Sequence, residues 1–179
     1  MSNGLILGGI AGISSSSGTP GVWTHLGTVA FSGGSAPQTT SSVSVVGYDY
    51  IMIIGRDITY TGAAGAVGVN LEVSTNNSVF NSIQTLITAN TNPTGAWVEA
   101  RICNPGSSSL PTMCLNMTGS SAARGGSTIS AAAPANGASL YPASLASGVE
   151  VHTHIRFNAN GTGTTMNGTF YIYGFNNPT

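Results

Sequence analysis

The sequence predicts an all-β chain, with antiparallel strands packed as a sandwich or closed as a barrel and an apolar arm at the N-terminus. Three observations carry this expectation. From residue 22 onward, short extended segments recur between clusters of Gly, Asn, Ser and Thr. In the clearest of them, apolar and polar residues alternate with period two. Helical periodicity is almost absent. A chain of 179 residues is long enough for one domain with a proper core, and its 41% hydrophobic content excludes the disordered class.

At the N-terminus, Leu5, Ile6, Leu7, Ile10 and Ile13 form an apolar run broken by Gly8, Gly9 and Gly12. The run is too short to span a bilayer and no basic residue precedes it, so it reads as an attachment arm rather than a membrane span or a secretory signal. Residues 14–21 (SSSSGTPG) are a flexible linker by composition. The organisation expected is therefore an arm and linker over 1–21 and one β-domain over 22–179.

Strands are expected at 22–31, 42–46, 48–57, 65–75, 96–103 and 111–118. Residues 48–54 (YDYIMII) are almost continuously apolar, as in a central strand covered on both faces. Val67, Val69, Leu71 and Val73 alternate with Gly68, Asn70, Glu72 and Ser74, one side for the core and one for the surface. Residues 78–89 (SVFNSIQTLITA) suit a short helix or, given their β-branched content, a further strand. Residues 119–137 are rich in small side chains and form a candidate contact loop that includes Arg124.

The strand expected at 149–157 places Val149, Val151, Ile155 and Phe157 on one face and Glu150, His152, His154 and Arg156 on the other. An Asn-Gly turn at 158–163 then leads into an aromatic strand at 169–175, closing a C-terminal hairpin.

Charge is scarce: there is no lysine, and four arginines (Arg56, Arg101, Arg124, Arg156) stand against five carboxylates. Phosphate recognition needs clustered cations, so nucleic-acid binding is not expected. A net charge of −1 gives little self-repulsion and favours association. No nucleophile elbow, phosphate loop or Cys-x-x-Cys is present, and no two carboxylates share a recognisable motif, so an enzyme is not expected. Cys103 and Cys114 read as small buried hydrophobes or a single bridge across a hairpin.

His152 and His154 form a His-x-His pair that would complete a metal site only if three copies met at an axis; otherwise they are hydrogen-bonded residues of a polar strand face, with no cofactor. Tyr171 and Tyr173 point to one side of their strand and are candidate glycan contacts if that side is open, with Arg124 as a third.

Three segments carry a family likeness: WTHLGTVAFSGG from Trp23, VSVVGYDYIMIIGRDIT from Val43, and FNANGTGTTMNGTFYIYGFN from Phe157. Together they resemble the small jelly-roll modules of tailed-phage structural proteins, found in tail fibres, tail tips and head decorations. The matching residues are Trp23, the Tyr48 to Ile54 strand and the Tyr171 to Gly174 strand end, and the likeness covers most of residues 22–176. The resemblance implies a jelly-roll fold, a homotrimer, attachment to other virion proteins through the N-terminal arm, and a place on the exterior of a particle assembled in the host cytoplasm. It implies a short tail-associated protein contacting a host surface glycan, or alternatively a capsid decoration or head-fibre protein. A free carbohydrate-binding lectin is the further alternative. The chain departs from long fibres in having no shaft repeat and no heptads.

Overall fold

The computed structural model describes residues 21–177 except 36, 62–66, 90–95, 111, 121–137, 142–149 and 161–164. The attachment arm, most of the 119–137 contact loop and Arg124 therefore lie outside the described residues. Eleven strands are present among those described and no helix: β1 (Thr24–Ser35), β2 (Gln38–Thr39), β3 (Val43–Ser44), β4 (Tyr50–Thr61), β5 (Val67–Ser74), β6 (Asn81–Ala89), β7 (Ala96–Cys103), β8 (Thr112–Ser120), β9 (Ala138–Tyr141), β10 (His154–Asn160) and β11 (Thr165–Phe175).

Pairing is antiparallel throughout and generates two sheets. The larger runs β1-β11-β4-β7-β8-β9; the smaller runs β2-β10-β5-β6, with β3 also on β10. The two sheets stack as a sandwich and neither closes into a barrel. Most of the pairs are nested. The β5-β6 hairpin lies inside the β4-β7 pair, which lies inside β2/β3 with β10, which lies inside β1 with β11. The β8-β9 hairpin extends the larger sheet beyond this nest.

Alternation places the core between the sheets. Even positions of β11 (Met166, Phe170, Ile172) and odd positions of β10 (Ile155, Phe157, Ala159) face each other across it, with Ile51 and Ile53 of β4 and Val69, Leu71 and Val73 of β5. Phe157 stacks on Phe170 with centroids 4.3 Å apart, and Phe31 meets Phe170 edge-on at 5.9 Å, so aromatic contact ties the two sheets together. Two glycines fit side chains into this core. A Cβ on Gly55 would overlap Val98, Ile58 and Phe170, and one on Gly174 would overlap the Tyr48 ring.

A bulge interrupts β4. Pairing with β7 jumps from Gly55↔Val98 to Ile58↔Ala96, and Asp57 takes a φ of 53°. Arg56 and Asp57, two residues opposite the single Trp97, both lie exposed, while Gly55 and Ile58 on either side return to the core.

Two expectations are corrected. Residues 81–89 form strand β6, where Ile83 and Leu86 enter the core, so the helical alternative for 78–89 does not hold. The strand expected from 149 begins only at His154, and the alternation reverses just before it: Val151 is 42% exposed and His152 is 1% exposed. Residues 152–153 instead bond to separate neighbours, His152 N–H to the Pro105 carbonyl and Thr153 N–H to the Ser74 carbonyl, which breaks the two-residue repeat. Of the two readings of the cysteines, the unbridged one holds: Cys103 and Cys114 are both free, on adjacent strands, Cys114 buried and Cys103 half-buried. Burial pushes the Cys114 thiol up to about 12.

Candidate interaction face

The outward side of the larger sheet is built by the positions the core does not use. On β11 these are Thr169, Tyr171, Tyr173 and Phe175; on β4 they are Tyr50, Met52 and Ile54. Register sets them side by side: Tyr171 opposite Ile54, Tyr173 opposite Met52, Phe175 opposite Tyr50. The next strand adds Trp97, Glu99, Arg101 and Cys103, with Arg101 opposite Met52 and Glu99 opposite Ile54. At the β1 border Trp23 packs on Phe175 with centroids 5.1 Å apart, and His25 on Tyr173 at 5.3 Å. Phe175 in turn meets Tyr50 at 6.1 Å.

These rings are open. Trp23 and Trp97 are each 41% exposed and Tyr171 is 36% exposed, and no third layer of strands covers them among the described residues. With strands about 4.8 Å apart and same-face side chains about 6.8 Å apart, the ten or so apolar positions span roughly 330 Å² in projection. A continuous patch of that size is the kind of largest apolar patch that often serves a function, unlike singly scattered exposed residues. Its charges are few: Arg101 donates to Glu99 Oε1 at 2.9 Å on the same strand, both partly in water, and Arg56 and Asp57 lie exposed at the β4 bulge beside it.

The outward side of the smaller sheet has the opposite chemistry. Arg156 Nε donates to Glu72 Oε2 at 2.7 Å, and Asn158 Nδ2 donates to Glu72 Oε1 at 2.8 Å. Arg156 and Glu72 are directly opposed across β10 and β5, the arrangement in which a cross-strand ion pair contributes most. Thr85 donates to Asn70 at 2.9 Å, and the Arg156 guanidinium lies 4.0 Å over the Phe80 ring. The 75–80 turn brings Phe80 there. Asn76 Oδ1 accepts from Ser78 N, Ser78 Oγ and Val79 N, Asn77 takes a φ of 61°, and Ser42 donates across to Asn77.

A third polar group lies at the end of the sandwich. The Thr112 hydroxyl meets His152 Nδ1 at 2.8 Å, and the Glu150 carboxylate lies 3.4 Å from Nε2. Burial pushes the His152 pKa below its ordinary value of 6.5, with Glu150 pulling the other way. His154 is half-buried and contacts the Thr153 hydroxyl at 2.9 Å. The two imidazoles therefore do not share an open strand face, and they do not fit a metal shared between copies at an axis.

Of the residues singled out from sequence, Tyr171 and Tyr173 fall together on the aromatic face. Leu5, Ile6, Leu7, Ile10, Ile13 and Arg124 lie outside the described residues. Sequence reasoning missed Tyr50, Met52, Ile54 and Phe175 as members of the same face. The signal was present in the continuous apolar run of 48–54, which was read as covered on both sides, whereas one side is open here. Compared with protein-family models, curated proteins and solved structures, the chain matches none.

Proposed function

We propose that this chain is a non-enzymatic structural subunit of a tailed-phage virion, a jelly-roll domain that works as a homo-oligomer, with a trimer as the expected number. The observation that carries the reading is the nested pairing. With β8 and β9 set aside, the strand orders reduce to β1-β11-β4-β7 and β2/β3-β10-β5-β6, the order of a long hairpin rolled up into two Greek keys. That order supports a jelly roll, the fold implied by the likeness of the Trp23, Tyr48 to Ile54 and Tyr171 to Gly174 segments to phage modules. An open aromatic face on a chain with no lysine and a net charge of −1 supports a subunit that lives against protein neighbours.

In this reading the apolar arm, Leu5 to Ile13, attaches the domain to the particle, and apolar burial rather than charge holds the contact. The test is the content of purified particles. The chain is expected in them, and a variant lacking residues 1–21 is expected to fold yet stay out of them. Absence of the full chain from the particles overturns the proposal. Copy number on a stained gel then separates a tail appendage, present in few copies, from a capsid decoration, present in many.

A further inference from the structure

We propose that copies of this chain associate through the outer face of the β1-β11-β4-β7-β8-β9 sheet, with Tyr171, Tyr173, Met52, Ile54 and Phe175 in its dry centre. The inference rests on the assembly reading above and names the surface that such an assembly uses.

Three features fit a second copy better than any other occupant. The first is extent. A projected apolar area of roughly 330 Å² suits the central part of a standard interface, which buries about 800 Å² per partner with a polar rim around a water-free core. His25, Thr28 and Thr169 border the rings and supply such a rim. The second is composition, since aromatic residues and Met are the types enriched where interfaces are fully buried.

The third is charge. Glu99 and Arg101 sit two residues apart on β7, opposite Ile54 and Met52. A copy laid face to face with its β7 antiparallel to this one brings the Arg101 of each against the Glu99 of the other, so in that arrangement the face is complementary to itself. A basic or an acidic partner would leave one member of the pair opposed by like charge. A lone sugar needs a few rings with hydrogen-bonding groups between them, whereas here apolar side chains adjoin one another across two strands.

Sedimentation of the full chain at micromolar concentration, combined with acrylamide quenching of its two tryptophans, tests this directly. Both tryptophans, Trp23 and Trp97, lie on this face, so their shielding reports its coverage. The expected result is an oligomer with shielded tryptophans. Tyr171→Glu and Ile54→Glu are expected to weaken association by about 100-fold or more, because each buries an unpaired charge. Both variants should keep the circular-dichroism spectrum of the parent, and their tryptophans should become accessible.

A monomer with accessible tryptophans overturns the proposal. So does a monomer whose tryptophans become accessible only when residues 1–20 are removed, which assigns the face to the chain's own arm. An oligomer indifferent to both substitutions overturns it as well, by placing the contact elsewhere. None of these outcomes bears on whether the chain is found in purified particles, so failure of the interface and failure of the virion reading stay distinct.

Discussion

On the outer side of β5 and β10, polar side chains answer one another: Glu72 takes Arg156 and Asn158, Thr85 takes Asn70, and the 75–80 turn brings Phe80 against the Arg156 guanidinium. On the outer side of β11 and β4, apolar rings lie beside one another with nothing of comparable kind above them among the described residues. Both faces come from the same period-two alternation. The difference teaches that a sandwich can be complete on one side and unfinished on the other, and that the unfinished side is where a partner is needed. Glu72 is only 7% exposed although it points away from the core, because its own chain closes over it.

Substitutions that treat the two faces differently sharpen this contrast. The largest effect is expected from Met52→Lys, which puts a charge into the aromatic face. Association should weaken by about 100-fold or more in sedimentation equilibrium, with little change in melting measured on the dissociated chain. On the opposite face, Glu72→Ala removes the acceptor shared by Arg156 and Asn158. Since Arg156 keeps partial access to water, the cost is about 2 kcal/mol rather than that of a fully buried broken pair. Calorimetry should show melting lowered by roughly 4–8 °C, with association unchanged.

An intermediate effect belongs to neither face. His152 is held neutral by burial, its pKa depressed below 6.5, so the unfolded chain takes up a proton that the folded chain refuses. Stability is then complete above about pH 6.5 and falls as pH drops from that value through the lower folded pKa. Urea titrations between pH 7.5 and 5 should show this loss, and His152→Gln should flatten it. The smallest effect is expected from Arg101→Ala. Its pair with Glu99 is largely solvated, and the folding stability of the separate chain should move by no more than about 0.5 kcal/mol in the same titrations.

Much of the fold was legible because alternation is a local signal. Val69, Leu71 and Val73 enter the core as their spacing requires, and the aromatic strand closes the sandwich beside β1. The lead-in to β10 was misread for a physical reason. At His152 the backbone turns to bond with Pro105 and the side chain with Thr112, both far away in sequence, and no periodicity encodes contacts of that kind. The 78–89 segment was ambiguous because Ile83 and Leu86 are spaced as on a helix while the β-branched content favours a strand, and pairing with β5, shifted in register at both residues, decides it.

For the aromatic face, the residues were visible but their juxtaposition was not. Tyr171 and Tyr173 announce an aromatic side of one strand. That Ile54 and Met52 stand opposite them depends on the pairing of β11 with β4, more than a hundred residues apart in the chain. The composition gave the complementary hint, since a chain without lysine has few means of keeping a broad apolar surface in water.

The two faces can be compared within one sample by hydroxyl-radical footprinting of the full chain across a dilution series. The account predicts that Trp23, Met52, Trp97 and Tyr171 are protected at high concentration and become reactive on dilution, while Phe80 and His154 of the smaller sheet react to the same extent throughout. Equal reactivity of the aromatic face at every concentration, at the level its exposure in the single chain implies, would contradict it.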